Sequence, residues 1–404
     1  MRWRFSRTHH NIYKECPKKY WLTFHEQGTG IVPVTMALGL SRGILAHSIL
    51  AHTLTRVKDT DKLPEPSFLT NLFNEETTAF REEAVSRGLE QTDQGMVLEE
   101  ANRQACLVES LVRSWVKIRL PYLHQRFTIV KVEDDFDLTL DPDGEIVLMS
   151  KADAVIQDRT SKEYSALEFK TTGTDRDEYF EGWRYDVQTL NHLMAIKQEF
   201  GKTGSSVMME FLYCGYKKRD AMSGSTIYYS PLIRGHVKRG NPPIDSDEYA
   251  WGSEYARRKG WSPFNVWQED FEAKPQHMTN AEYWVNHVLD VGTLQESLFT
   301  REIYRNEEEM KQWVAGASQQ QRRVMQGVQL MKALEGGQNA LGFDRDYVMA
   351  AFFPANLDSS CRTNKYFREC EFSKICYGLI TGDPLQAGFM HRKPHHEAEH
   401  NVDD

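Results

Sequence analysis

An α/β fold, with helices arranged around a sheet, is what this sequence predicts, on three observations. Between residues 127 and 216, alternating apolar and polar runs bounded by turn signals read strand, strand, strand, helix, strand. Residues 36–55, 67–121 and 306–335 carry apolar side chains at helical spacing. The composition, 40% hydrophobic and 26% charged, is that of a globular protein, and 404 residues leave room for two or three domains, or one domain with a large insertion.

In order, residues 6–25 read as one helix with Ser6 as N-cap. Ile12, Cys16 and Tyr20 fall at i, i+4 spacing, which turns Cys16 inward. A second helix over 36–55 lines up His47, Leu50 and Leu54. A loop-broken helical segment at 67–121 is expected to end at Pro121. The strand at 127–140 contains Glu133-Asp-Asp135, and Asp141-Pro-Asp-Gly144 is a turn. Strands at 145–156 and 163–171 follow, joined by a turn at 157–162. The helix at 181–200 puts Gln188 and His192 on one face. Ser206–Tyr216 reads as a buried strand and Thr226–Val237 as a further one. Residues 240–300 are rich in aromatics without a clear period. The helix at 306–335 is polar, with a narrow apolar stripe, and the tail from His391 is expected to be disordered.

Several classes are disfavoured. The start has positive charge without an apolar run, so no signal peptide is expected, and no stretch is apolar enough to span a membrane. A cytoplasmic protein is the expectation. Six scattered cysteines are not a secreted disulfide framework. Cys106 and Cys214 sit in core-like patterns, leaving Cys16, Cys361, Cys370 and Cys376, a set that suits an iron–sulfur cluster or zinc. A net charge of −9 argues against binding nucleic acid through overall charge. Basic clusters occur locally at 217–219, 236–239, 257–259 and 322–323.

The chemistry concentrates in Lys151-Ala-Asp153 and, one hairpin later, Glu168-Phe-Lys170. Strand alternation turns Glu168 and Lys170 to one face and Leu167 and Phe169 to the other. Charges inside a sheet are costly unless paired or bound to metal. A hard divalent ion, Mg²⁺ or Mn²⁺, accounts for them: Asp153 and Glu168 are candidate ligands with the Phe169 carbonyl, and Lys170 is placed to orient a water against a phosphate. Asp153, Glu168 and Lys170 are the catalytic candidates for phosphodiester hydrolysis.

Together with what surrounds them, these residues resemble the PD-(D/E)xK nuclease superfamily, in particular its RecB-like branch of AddB and CRISPR-adaptation nucleases. Gly43-Ile-Leu-Ala-His47 is similar to that branch's GxxxH element, whose His binds metal. Glu133 resembles the glutamate of its first core strand, and Gln188 through His192 resembles its QxxxY helix, with His in place of Tyr. Cys16-Pro-Lys-Lys-Tyr20 and the late cysteines 361, 370 and 376 resemble the early and late ligands of a [4Fe–4S] cluster, although the gap between Cys361 and Cys370 is wider than the family's. The resemblance implies a restriction-endonuclease-like core, a central mixed sheet flanked by helices with helical additions. It implies metal ligation by His47, Asp153, Glu168, Phe169 and Glu133, and DNA contact by Gln188 and His192. A metal-dependent DNA nuclease, in particular an exonuclease of recombination, repair or processing, is the expectation, possible partners being a helicase or recombinase. The alternative is a non-catalytic DNA-binding subunit of such a complex. The expected organisation is a nuclease core at 1–240 (helical to 125, catalytic from 126), an aromatic-rich and helical insertion at 241–335, a cysteine-bearing return at 336–390, and a tail at 391–404.

Overall fold

The computed structural model describes residues 2–90, 92–173, 177–214, 217–220, 226–230, 235–239, 271–337, 342–356 and 369–393, with the backbone alone in the segments between 217 and 239.

Strand β1 (Trp3–Ser6) buries Trp3 and Phe5, and its last residue caps helix α1 (Arg7–Glu15). The single helix expected over 6–25 is two. Cys16 is extended, at φ −160° and ψ 112°, and α2 (Pro17–Phe24) starts anew. Proline pushes the residue before it out of the helical region while fitting the first turn of the next helix. Beyond lies β2 (Ile31–Pro33). Gly30 ahead of it has φ 81°, and a Cβ there would fall 1.9 Å from the Thr23 carbonyl oxygen, so only glycine fits.

Helices α3 (Leu38–Thr60), α4 (Pro66–Arg87) and α5 (Val97–Ile118) layer against one face of the sheet around a core that includes Leu50, Phe73, Trp115 and Phe169. Pro121 does not end this segment. The chain breaks at Arg119, and Pro121 lies in the first turn of α6 (Leu120–Arg126), where its missing N–H costs nothing.

The sheet is built by β3 (Phe127–Thr139), β4 (Ile146–Asp158) and β5 (Tyr164–Thr172), each antiparallel to the one before. After α7 (Asp177–Gly182) and α8 (Val187–Phe200), β6 (Gly204–Tyr213) runs parallel to β5. Three short strands, β7 (Lys217–Asp220), β8 (Thr226–Ser230) and β9 (Gly235–Arg239), make a separate antiparallel sheet, so the strand expected at 226–237 is two. Helix α9 (Asn280–Tyr283) adds to the core beside α5, and α10 (Val291–Gln295) leads into β10 (Leu298–Ile303), which pairs antiparallel with β6. The long helix α11 (Glu307–Glu335) and α12 (Arg345–Phe352) cover the other face, with Gly327 tight against Phe352 and Phe353. The return through α13 (Ser373–Cys376) to β11 (Phe389–His391) pairs with β2. His391, placed in the tail by the sequence reading, thus ends a strand opposite Ile31, and residues 394–404 lie outside the described ones. Cys106 and Cys214 are core residues, each 8% exposed. Among the described residues no helix is long and apolar enough to cross a membrane.

One detail of the sheet decides where chemistry can occur. β3 holds one edge of β4 along its length, but the opposite edge is shared. β1 takes Ile146–Met149 in parallel and β5 takes Ala154–Gln157 antiparallel. Ser150–Asp153 fall between, where β4 passes from one neighbour to the other. Crevices of this kind, where strand partners change, are where ligands bind in open α/β sheets.

Candidate active site

The strand ladder between β4 and β5 stops at Ala154–Leu167, one pair short of Asp153 and Glu168. There the Phe169 N–H donates to Asp153 Oδ2 at 2.6 Å in place of a strand-to-strand bond. Phe169 itself turns into the core against Trp115, with ring centroids 5.0 Å apart. The second Asp153 oxygen meets His47 Nδ1, from α3, at 2.8 Å. Burial works against a charged His47, but the Asp153 carboxylate outweighs it and raises the imidazole above its ordinary pKa. In the Gly43-to-His47 element the glycine is not sterically required: a Cβ there would reach only Thr171 Oγ1, at 3.5 Å.

Glu133 enters from β3. It falls between the pairs Val132–Ala154 and Asp134–Ala152, opposite Asp153 in the β3–β4 register, with φ 52°, a left-handed conformation that costs a non-glycine residue about 1–2 kcal/mol. The distortion aims its carboxylate at the crevice. One ligand atom each from His47, Glu133 and Asp153 lies within 4.8 Å of the others, the one such group among the described residues. Lys151 holds Glu133 Oε2 at 2.7 Å.

Glu168 forms the deeper half. It is 1% exposed, and Lys170 Nζ and Gln188 Nε2 both donate to its Oε1. Its Oε2 lies 3.0 Å from His192 Nε2, but the ring N–H is not aimed at it, so neither buried atom completes a hydrogen bond there. Burial raises the pKa of a carboxyl, yet the charges of Lys170 and His192 overcome it and hold Glu168 far below the usual carboxylate range. Lys170 Nζ also stands 5.1 Å from the centre of the Trp183 ring.

Gln188 and His192 lie on α8 as their spacing predicts, and both turn toward Glu168, Gln188 half-buried and His192 buried. His192 is 2% exposed, its Nδ1 3.1 Å from Ser150 Oγ, and it backs Glu168 from inside. Helix α8 packs over β4 and β5, so the residue one turn after Gln188 points into the sheet. Gln188 spends its amide on Glu168 and on Arg7, whose Nη1 donates to Gln188 Oε1 at 2.8 Å.

Arg7, Ser150, Lys151 and Trp183 were given no role by the sequence reading. Asp186, by contrast, sits where an N-cap is legible, and its side chain accepts the Gln188 N–H at 2.8 Å. The basic pair 322–323 is structural: Arg322 bonds Asp141, Asp143 and Glu145, and Arg323 donates to the Ala351 carbonyl. The side chains of the other three clusters lie outside the described residues.

Of the four cysteines, Cys16 is buried at the α1–α2 break, where the Asn356 N–H approaches its Sγ at 3.5 Å. Cys370 and Cys376 pack beside Leu22, Ile31, Phe372 and Phe389, so the return segment docks on α2, reinforced by Lys19–Glu371 at 3.2 Å. Cys361 lies outside the described residues. Among the described residues no three cysteines come within the reach of one ion.

The donor set at the crevice, carboxylates and one imidazole beside a strand carbonyl, suits a hard divalent ion, and the uncompleted Glu168 Oε2 is a lone pair left for one. A search of the curated proteins finds no match. The family model of the PD-(D/E)XK nuclease superfamily matches residues 4–377, nearly the whole chain, and the protein belongs to that superfamily.

Proposed function

We propose that this protein is a Mg²⁺- or Mn²⁺-dependent deoxyribonuclease, an exonuclease of the RecB-like type. The observation that carries the reading is the convergence of His47, Glu133 and Asp153 at ligand distance beside the buried Glu168–Lys170 pair, where β4 changes partners. His47, Asp153 and Glu168 would hold one ion with the Phe169 carbonyl, and Glu133 would serve a second ion or a water. The ion supplies Lewis acidity toward the phosphate and lowers the pKa of water. Lys170 orients the attacking water and balances charge on the non-bridging oxygens as a P–O bond to water forms and the P–O bond to the departing sugar oxygen breaks. Gln188 and His192 set the Glu168 carboxylate, and any contact they make with DNA is secondary to that. Lys151 keeps Glu133 turned toward the crevice.

The same reading gives Cys16, Cys361, Cys370 and Cys376 a structural [4Fe–4S] cluster. Support comes from the docking of Cys370 and Cys376 beside α2, whose N-cap is Cys16. Action in the cytoplasm, on single strands or duplex ends, beside a helicase or recombinase of recombination, repair or DNA processing, completes the proposal.

The test is cleavage of end-labelled single- and double-stranded DNA with Mg²⁺, Mn²⁺ or EDTA. Lys170→Ala is expected to lose cleavage by about 10²- to 10⁴-fold while remaining folded by circular dichroism at the assay temperature. Equal cleavage by both proteins refutes the assignment. For the cluster, Cys376→Ala purified without air is expected to be colourless and to melt at a lower temperature. A brown variant with unchanged melting ends that part of the proposal.

A further inference from the structure

Glu168 can bind an ion only if something fixes which way its carboxylate faces, and the residue that does so through Gln188 is at the far end of the chain. Arg7 opens α1, directly after the strand that fills half of the β4 edge. Its Nη1 donates to Gln188 Oε1 at 2.8 Å and its Nη2 to Asp186 Oδ2 at 2.8 Å, while its guanidinium lies 5.7 Å from the centre of the Trp183 ring. The side chain is partly exposed, at 30%, and no part of it reaches Glu168 among the contacts described.

The chemistry of the two groups makes the arrangement directional. A glutamine amide has one end that accepts and one that donates, and the two are nearly equal in size. A guanidinium has five donors and no acceptor. Facing Arg7, the amide can present only its oxygen, so its NH₂ end must face Glu168. Without Arg7, either end can turn inward, and the oxygen end would meet the carboxylate with like polarity. Asp186 holds the fork in place, since it accepts from Arg7 and from the Gln188 N–H at the start of α8.

We infer that Arg7 is a positioning residue for metal binding: it fixes the amide orientation of Gln188 and through it the Glu168 carboxylate. This rests on the metal-dependent reading of the site. Partners one step behind a ligand change metal affinity or activity by about 10- to 100-fold, and Arg7 acts one step further back, so a loss of about tenfold is expected.

The test uses the full chain with Mn²⁺ alone, followed by the rise in melting temperature on titration, and cleavage measured in parallel. Arg7→Ala is expected to need about tenfold more Mn²⁺ for the half-maximal rise, with kcat reduced and KM for DNA unchanged. Arg7→Lys, which keeps a donor, should recover part of the loss. In a Gln188→Ala background, Arg7→Ala should cost nothing further in Mn²⁺ affinity. In an Asp186→Ala background it should still cost most of its effect. A purely structural Arg7 would instead lower the metal-free melting temperature in every background and leave the Mn²⁺ midpoint unmoved, which overturns the inference. A full Arg7→Ala loss that persists without Gln188 also overturns it. If wild type shows no Mn²⁺ effect at all, the metal site itself fails. If Mn²⁺ binds as expected and DNA is not cut, the nuclease reading fails and the role of Arg7 stands.

Discussion

Two glutamates on neighbouring strands share a burial and differ in everything else. Glu168 on β5 and Glu210 on β6 are each 1% exposed, and the register places Glu210 beside Phe169. Arg119 grips Glu210 through Nη2 at 2.7 Å and Nε at 3.2 Å, and Trp115 and Thr300 donate at 3.3 and 3.2 Å. Its donors come from α5, β10 and the junction between α5 and α6, and they cover both oxygens. Glu168 has a lysine, an amide and a misaligned histidine, with one oxygen left without a formed bond. A buried carboxylate with donors on both oxygens holds a fold together; Glu168, with one oxygen short of a donor, is the one proposed above to take a metal ion.

The comparison breaks if the two can be exchanged in their effects. Glu168→Gln should cut metal-dependent cleavage by at least about 10²-fold. It should shift metal-free stability by no more than about 1 kcal/mol, because Lys170, with 18% of its side chain exposed, can turn to water. Cleavage rates and urea unfolding on the same preparation decide it. Arg119→Ala should do the reverse. It strands the Glu210 charge, at a cost of about 3–5 kcal/mol, while the folded fraction keeps its specific activity. An Arg119→Ala protein of native stability would remove the distinction.

His10 sharpens the contrast from the side of a buried base. Its ring is 3% exposed among Phe5 and Trp313, and its Nδ1 has no hydrogen bond. Burial lowers its pKa to about 4, with Lys14 adding to the effect. The unfolded chain therefore takes up a proton first as pH falls. The neutral ring's contribution is complete above the ordinary value near 6.5, and up to about 3 kcal/mol is lost as pH drops toward 4. His10→Phe should flatten the stability profile in that window, and an unchanged slope refutes it.

The strand-borne part of this site was legible because it is local. A period of two puts Glu168 and Lys170 on one side, and a short hairpin brings Asp153 alongside. A helical period likewise joins Gly43 to His47 and Gln188 to His192. What those periods do not fix is which way a face points in the assembled sheet, so His192 lies buried behind Glu168. Arg7 was invisible because its partners lie on an element that only tertiary structure brings near. The break at Cys16 was readable in Pro17, but the inward apolar spacing across it argued for one continuous helix. The acidic overall charge said little, since Arg322 and Arg119 are spent on internal carboxylates.

The split edge of β4 also governs when the site comes into being. Trp3 cannot find Ile146, nor Arg7 reach Gln188, until the chain between them has been made, and such distant pairings form slowly. His47 and Asp153 are separated by the whole of α4, α5 and α6. During synthesis a nascent chain thus carries every early part of the site without a working arrangement of them. The scattering of these residues between Arg7 and His192 ties the assembled site to the folding of that whole stretch, so no shorter piece of it holds every part.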